Sequence, residues 1–414
     1  MGLQISECST VAEYQTRIGS ENGGDYIYVN KFNHSLIFSD NGSRAVMSEP
    51  VIQEDGISWY VDLNSTETAS SRVGSSAHPF ATINELLYFL PKNTNGHLID
   101  LYITASSEDQ DITFDGFENL RIHGLNNTTD VPVFSFNNCK NITVYATDTE
   151  TASEATDCKI GTVTNSTVTI AGGTTYDGII NVAGPITNST LTSADAEVII
   201  NTTSEVSGPV YFDVKAHSVV ELASVTSSAV KTIRVDDSEF TAKSVIYCNI
   251  TATDNSNVRI ETLYRAKASS KETAISVDNL SNVAVTAYAF ETGVENPTYR
   301  DALVVTASNG SRVSIVSKTS ELVPVKSVTA QTGSYVTITT LTGYLIDNSG
   351  TDEIVNPALQ AHMASTIMYY KANIDASHEI TPTETTDTMG QINTADGTVD
   401  LSNYVQYNAS TVTA

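Results

Sequence analysis

The stretch that decides the fold is residues 58–91, SWYVDLNSTETASSRVGSSAHPFATINELLYFLP. It begins as a short apolar strand and continues as a polar loop that closes at Gly74. Thr82 and Glu85 have the spacing of a capping box, in which the threonine hydroxyl accepts a backbone N–H and the glutamate reaches back to the cap residue. This pattern predicts a short helix over residues 82–90.

The predicted helix has one apolar face and nothing nearby in the sequence to cover it. Its apolar positions recur at i, i+3, i+4 and i+7 and a proline ends it; these residues are Ile83, Leu86, Leu87, Leu90 and Pro91. A helix of about two turns is only marginally stable alone. We therefore expect it to pack on a larger apolar structure formed by the residues that follow.

A repeated pattern of turn and strand begins near Leu98. Each copy is a turn of Asn, Asp, Gly or Ser followed by alternating apolar residues, as in NSTVTI at residues 165–170. The first apolar residue after each turn marks the copy, and the markers are Leu120, Ile142, Val168, Leu191, Val219, Phe240, Val258, Val283, Val313 and Val336. The nine steps from position 120 to position 336 average 24 residues. Alternation with period two, rich in Val, Ile and Thr, excludes a helical repeat.

A repeat of this length, made of short strands and turns, is typical of a parallel β-helix. Each copy makes one coil, inward Val, Ile and Leu side chains form a continuous core, and turn Asn and Ser side chains stack in hydrogen-bonding ladders. About ten coils at a spacing of ~4.8 Å would extend about 48 Å. The helix over residues 82–90 is expected to cover the open first coil. The alternative is a set of immunoglobulin-like β-sandwiches, but the chain has one Trp and no recurring core Trp.

The two ends of the chain differ from the repeat. Residues 1–55 contain short apolar runs broken by Gly and Asn clusters, which predict a small module of strands and hairpin turns with a role in attachment. Residues 56–97 form the first strand and the capping helix, and residues 98–350 form the β-helix. Residues 351–414 are expected to be a C-terminal cap or oligomerisation tail, in which the Asn-Pro pair at 356 predicts a helix to about residue 370.

The composition limits the classes of function. The chain has 414 residues, 48 of them acidic and 21 basic, for a formal net charge of −27. The basic residues are scattered singly, so we expect no nucleic-acid binding. The N-terminus lacks the basic and apolar regions of a signal peptide, and no run approaches membrane-spanning length. We therefore expect neither export by a cleaved signal nor membrane insertion. The four cysteines lack metal-ligand spacing and are expected to be buried thiols.

The start of the predicted β-helix resembles that of a known family. The resemblance is carried by Tyr60-Val61-Asp62, by the loop with Gly74-Ser75, by PFATI at residues 79–83 and by the N-S-x-V-x-I coils. Together they are similar to pectate-lyase-like proteins with a right-handed β-helix, above all bacteriophage tailspikes and tail fibres. The resemblance covers roughly residues 58–350. It implies an all-β, right-handed parallel β-helix with a short N-terminal capping helix and small β-rich flanking modules.

The same resemblance implies a function. It predicts a structural tail appendage on the virion, made in the host cytoplasm, that recognises a host-surface glycan or protein. It also implies a homotrimer without a cofactor, which contacts other virion tail proteins through residues 1–55. Two alternatives remain, because the same fold serves several functions. One is a polysaccharide depolymerase, either a glycoside hydrolase or a lyase, and the other is a cell-surface adhesin or capsid fibre.

The depolymerase alternative and the binding role predict different site residues. A hydrolase needs two carboxylates roughly 5–9.5 Å apart, and the candidates on the coils are Asp213, Asp236, Asp237, Glu239 and Glu261. Asp213, Asp237 and Glu261 are 24 residues apart, but their offsets from the strand markers differ, so the spacing is interpreted as a coincidence. No metal site is predicted, because the seven histidines are single and separated. The long step over residues 284–312 offers a ligand-binding surface with Phe290, Glu291, Glu295 and Tyr299.

Overall fold

Parallel β-strands make up most of the secondary structure, and the fold is an all-β parallel β-helix, as the sequence predicts. The computed structural model describes residues 3–9, 11–21, 25–31, 35–40, 43–48, 57–67, 72, 74–87, 90–104, 111–124, 132–146, 159–172, 179–182, 184–193, 196–200, 211–265, 273–290, 303–317, 325–339, 344–346, 352–354, 357–371, 382–387 and 389–396. It consists of two units. The first comprises Met1–Ala183 and Ser189–Ala196, and the second comprises Gly184–Asn188 and Glu197–Ala414.

The elements are numbered in chain order. Those up to the first coils are β1 (Gln4–Cys8), α1 (Val11–Gly19), β2 (Asp25–Asn30), β3 (Ser35–Asp40), β4 (Ser43–Ser48), β5 (Ile57–Asp62), α2 (Ile83–Leu87), β6 (Ile99–Thr104), β7 (Asp111–Asp115), β8 (Leu120–Gly124), β9 (Val133–Asn137) and β10 (Ile142–Tyr145). Next come β11 (Lys159–Thr164), β12 (Thr167–Ala171), β13 (Ile179–Val182), β14 (Ile186–Thr187), β15 (Thr190–Ser193), β16 (Glu197–Ile200), β17 (Tyr211–Lys215), β18 (Val219–Asp236), β19 (Glu239–Thr253), β20 (Asn257–Arg265) and β21 (Thr273–Val277). The last are β22 (Asn282–Phe290), β23 (Leu303–Ala307), β24 (Arg312–Ser317), β25 (Val325–Ala330), β26 (Tyr335–Thr339), β27 (Tyr344–Ile346), β28 (Asp352–Ile354), β29 (Ala358–Ala361), β30 (Thr366–Lys371), β31 (Thr383–Thr386) and β32 (Gln391–Asp396).

The N-terminal module is a four-stranded sheet with α1 packed on one face. β1 runs parallel to β2, and β2, β3 and β4 pair antiparallel in that order. The ring of Tyr14 on α1 meets the ring of Tyr28 on β2 edge to face, with centroids 5.2 Å apart. Both rings are buried together with Cys8 and Ile37. The sequence predicts the strands and the hairpin turns but not α1.

One of the two bonds of the predicted capping box, that to Thr82, is present at the start of α2. Glu85 N–H donates to Thr82 Oγ1 at 3.2 Å, and Ala81 N–H, one residue before the cap, donates to Glu85 Oε2 at 2.9 Å. The same carboxylate pairs with the Arg72 guanidinium at 3.0 Å. α2 covers Ile83–Leu87, whereas we predict residues 82–90, of which 88 and 89 lie outside the described residues. Its role as a cover for the first coil stays a prediction.

In the first unit, the coils stack in the register that the markers predict. Ile99 pairs with Leu120, and Val168 pairs with both Ile142 and Leu191. All five side chains are buried. Buried and partly exposed residues alternate along β6 and β8, as expected for parallel strands with one face on a shared core.

The second unit has the same kind of register over more coils. Each residue aligns with the next in the series Val220, Phe240, Val258, Val283, Val313, Val336, Ile367 and Ile392. The marker Val219 is wrong by one residue, because Val219 aligns with Glu239 on the outer face. A shift of one residue moves a strand side chain to the opposite face of the sheet.

The helix predicted from residue 356 is wrong. This segment instead contains β29 and β30, which pair in parallel with β25 and β26 of the preceding coil. Leu359 and Ile367 are buried on the strands, and Met363 lies in the turn between them with a φ of 53°. Parallel pairing continues to β32, beyond residue 350 where we predicted the β-helix to end. The division of the chain into four domains, including a C-terminal cap or oligomerisation tail, stays a prediction.

A ladder of buried serines runs along successive coils, each serine standing two residues before a buried strand residue. In the second unit, each serine N–H except the last donates to the hydroxyl of the serine one coil further on, at 3.0–3.3 Å. This serine ladder is Ser218, Ser238, Ser256, Ser281, Ser311, Ser334 and Ser365. The same bond joins Cys139 to Ser166 and Ser166 to Ser189 in the first unit, at 2.9 Å each. The sequence predicts ladders of turn side chains, and the serine ladder satisfies backbone N–H groups that are closed to solvent.

Candidate functional site

A polar groove on the second unit is the candidate functional site. It has a volume of about 570 Å³ and is lined by Arg234, Asp236, Thr251, Thr253, Asp254, Asp278, Asn279 and Asn309. A second depression of about 580 Å³ shares Asp236, Asp254 and Asn279 with it. The lining contains only side chains that can donate or accept hydrogen bonds.

Parallel register brings the lining together from four successive coils. Arg234 aligns with Thr251, and Asp236 aligns with Thr253. Three lining residues lie in the turns that follow β19, β21 and β23. Each has a left-handed backbone: Asp254 with φ 53°, Asn279 with φ 51° and Asn309 with φ 52°. Asp and Asn tolerate this conformation better than other residues with a side chain. The turn geometry therefore selects the polar residue types that line the groove.

Hydrogen bonds between coils hold the carboxylates of the groove in place. Thr253 Oγ1 donates to Asp236 Oδ1 at 2.9 Å, and Asn279 Nδ2 donates to Asp254 Oδ1. Asp278 Oδ1 accepts from both Ser308 Oγ and Asn309 Nδ2 at 2.7 Å. Each carboxylate is thus fixed by a side chain of the next coil.

The hydrogen bonds to Asp278 keep its carboxyl ionised. The Ser308 hydroxyl lowers the pKa of Asp278, the Asn279 and Asn309 N–H groups add to this effect, and burial opposes it. The carboxyl is therefore ionised at neutral pH. A general acid in glycoside hydrolysis needs the opposite, a carboxyl with a raised pKa. Asp278 fits the role of a hydrogen-bond acceptor for a bound ligand.

The predicted acids have different surroundings. Asp213 forms a bidentate pair with Arg234, at 2.7 Å to Nε and 3.1 Å to Nη2. Asp236 lines the groove and the second depression, and Asp237 lines the second depression, with Oδ2 3.1 Å from His217 Nδ1. The structure thus brings Asp236 and Asp237 to one surface and ties Asp213 to a cation.

The remaining candidates do not join the groove. Glu239 and Glu261 are exposed on the coils and line neither the groove nor the second depression. Asp213 aligns with Arg234 and not with Asp237, so the 24-residue spacing of the acids is a coincidence, as predicted. Phe290 ends β22, and its side chain lies outside the described part of the chain, as do Glu291, Glu295 and Tyr299.

Sequence reasoning missed the turn residues Asp254, Asp278, Asn279 and Asn309. A signal for three of them is present, because Asp254, Asn279 and Asn309 each stand two residues before a serine of the ladder. This position, two residues before a ladder serine, recurs along the repeat. The sequence therefore does not indicate which of the residues at this position line a groove.

The described ranges contain neither a metal-binding cluster nor a membrane-spanning helix. There, no group of three or more His, Cys, Asp or Glu side chains could hold a metal ion, and no helix is long and apolar enough to cross a membrane. Cys8, Cys139 and Cys248 are buried, as predicted, and Cys158 lies outside those ranges. Comparisons with models of protein families, with curated proteins and with solved structures find no match.

Proposed function

We propose that the chain is a structural tail appendage of a bacteriophage, a tail fibre or tailspike, that binds a host-surface glycan through the polar groove. The parallel β-helix and the sequence at its start support this role, because both are features of that class of appendage. A fold alone does not determine function. The polar groove is the observation that carries the proposal.

The lining of the groove suits a polyhydroxyl ligand. Carboxylates accept hydrogen bonds from sugar hydroxyls, while the Thr251 hydroxyl and the amides of Asn279 and Asn309 both donate and accept. Fixed polar groups lose little conformational entropy when a ligand binds, which favours affinity.

A binding experiment with a matched pair of variants tests the proposal. Thr251→Val removes a hydroxyl from the groove without changing the size of the side chain. Thr329→Val is the control, because Thr329 aligns with Thr306 on the same outer face but lies outside the groove. With immobilised host surface polysaccharide, we expect Thr251→Val to weaken binding about fivefold, the effect of one hydrogen bond of about 1 kcal/mol. Equal affinities of the two variants, or no binding by the wild type, contradict the proposal.

The same preparation separates binding from depolymerisation. The polysaccharide is incubated with the wild type and with Asp236→Asn, and new reducing ends or unsaturated sugars are measured. We expect no release from either protein. If the wild type releases sugar products and Asp236→Asn does not, the protein is an enzyme, and the purely binding role is contradicted.

The assembly of the appendage is part of the proposal. We propose a homotrimer, made in the host cytoplasm and carried on the virion, whose N-terminal module contacts other tail proteins. Neither nucleic acid nor membrane insertion has a role in it. The mass in solution, measured by light scattering at micromolar concentration, is expected to be three times 44.3 kDa. A monomeric mass contradicts the trimer.

A further inference from the structure

We propose that the open edge of β1 is a docking edge for an extended strand of another protein. β1 is an outer strand of the N-terminal sheet, and its strand partner there is β2 on the inner side. An edge strand presents N–H and C=O groups that the sheet leaves unpaired, and an incoming strand can pair with them. In the described part of the chain, no other element pairs with this edge.

The direction of the backbone groups of β1 determines which residues an incoming strand can pair with. The Cys8 carbonyl accepts the N–H of Lys31 at 2.8 Å, so Cys8 directs its polar groups toward β2. Backbone groups alternate in direction along a strand. Ser6 therefore also faces β2, whereas Ile5 and Glu7 direct their N–H and C=O groups to the open edge.

Apolar side chains flank this edge. Leu3 is 53% exposed and Ile5 is 67% exposed, and two residues at this spacing lie on one face of the strand. Ile5 aligns with Ile27 of β2, and Ile27 aligns with Phe38 of β3, which makes an apolar row on the face away from α1. Natural edges are commonly protected by Lys, Pro or a bulge. β1 contains no Lys, Pro or bulge, and its one charged residue is Glu7.

Charge indicates which kind of strand fits. The Glu7 side chain is 63% exposed near the end of β1, where it already attracts Lys31 at 2.6 Å. A second β1 strand would bring no cation to lie opposite Glu7, because Glu7 is the only charged residue of β1. The partner is therefore a strand with aliphatic residues at alternate positions, which cover Leu3 and Ile5, and with Lys or Arg opposite Glu7. The inference rests on the proposed function only in assigning attachment to this module, and its test involves no glycan.

The first test uses the full-length protein and two synthetic peptides. One is the acetylated and amidated peptide KITVTK, and the other replaces both lysines by glutamate. We expect KITVTK to bind at least about fivefold more tightly, because its charges oppose that of Glu7. On binding, the amide hydrogens of Ile5 and Glu7 are expected to exchange at least about tenfold more slowly. The amide of Ser6, which faces β2, is expected to change little.

The second test uses a matched pair of variants. Glu7→Pro removes one outward N–H, and Glu7→Ala removes the same side chain but keeps the N–H. We expect Glu7→Pro to bind KITVTK at least about tenfold more weakly than Glu7→Ala. The exchange experiment on the wild type does not depend on how either variant folds.

Several outcomes overturn the inference. They are no binding of KITVTK at millimolar concentration, binding that leaves the exchange of Ile5 and Glu7 unchanged, and equal binding to Glu7→Pro and Glu7→Ala. Self-association of the wild type that Glu7→Pro abolishes would assign the edge to a second copy, which also contradicts it. Loss of glycan binding alone leaves the inference standing, and loss of peptide binding alone leaves the glycan proposal standing.

Discussion

Replacement of Ser256 by alanine tests whether the serine ladder holds successive coils together. The hydroxyl of Ser256 accepts the N–H of Ser238 at 3.3 Å and donates to the carbonyl of Thr253 at 2.6 Å. The side chain is 1% exposed. Alanine removes both bonds at once, and it leaves a backbone donor and a backbone acceptor without this partner in a place closed to solvent.

The expected cost follows from these two groups. A buried polar group that loses its partner costs about 1–3 kcal/mol. The Thr253 carbonyl also accepts the N–H of Asp237 at 3.2 Å and keeps that partner. The cost therefore comes mainly from the Ser238 N–H, and the free energy of unfolding is expected to fall by about 1–3 kcal/mol. Ser276→Ala is the matched control, because Ser276 is exposed on β21 and outside the ladder. It is expected to change the free energy of unfolding by less than about 0.5 kcal/mol.

Urea unfolding followed by circular dichroism measures both variants against the wild type. The midpoint for Ser256→Ala is expected to fall while the slope of the transition stays constant, because the same surface is exposed on unfolding. Equal midpoints for Ser256→Ala and Ser276→Ala would refute the reasoning. In that case the stacked strands alone would hold the coils, and the serines would be present only for their fit to the turn.

Three further predictions concern single positions. Glu85→Ala removes the acceptor of a backbone N–H in the cap of α2, and the free energy of unfolding in urea is expected to fall by about 1 kcal/mol; an unchanged value would show that the cap adds nothing. Gly74→Ala is expected to lower the melting temperature, because the backbone has φ +73° and a Cβ there would come within 2.3 Å of the Phe80 ring; a wild-type melting temperature contradicts this geometry. The N–H of Met363, with two further backbone N–H groups, lowers the pKa of Asp387 below its usual value near 3.8. The ionised Asp387 carboxylate therefore stabilises the fold above about pH 4, and this stabilisation is lost as the pH falls through the lowered pKa. A plot of stability against pH from 5 to 2 is expected to be steeper for the wild type than for Asp387→Asn, and parallel plots would exclude this effect.

The register of the β-helix could be predicted from sequence because one physical rule dominates it. Val258, Val283 and Val313 align as predicted, since each is the first inward residue after a turn and must reach the same core. The rule fails where two neighbours are both apolar, as at Val219 and Val220, because the pattern does not indicate which of them faces inward.

The error after residue 356 has a related cause. Leu359 and Ile367 are eight residues apart, a spacing that fits one face of a helix. The same spacing fits two inward strand residues on either side of a turn, and Ser365 of the serine ladder shows that the second arrangement is present. The sequence around the turn carries the ladder serine, but the Asn-Pro pair favours a helix start and obscures it.

The candidate site was less predictable than the fold. Asp236 could be named because it is an acid on a coil, but its neighbours Asp254 and Asp278 come from turns at irregular distances along the chain. Which turn side chains meet depends on the exact length of each coil, and this length varies throughout the repeat. A hydrogen bond such as that between Asn309 and Asp278 spans 31 residues and cannot be seen in a local pattern.

The one-way direction of the serine ladder has a consequence for how such a chain can change in length. Every interior serine offers one N–H to the following coil and one hydroxyl to the preceding one, so each coil has the same two interfaces. Duplication or deletion of a complete coil rejoins identical interfaces and leaves no serine unmatched. Insertion of a single residue within a strand instead turns the inward side chains that follow it to the outer face. Growth and shrinkage of the protein by whole coils is therefore the change that its interior tolerates.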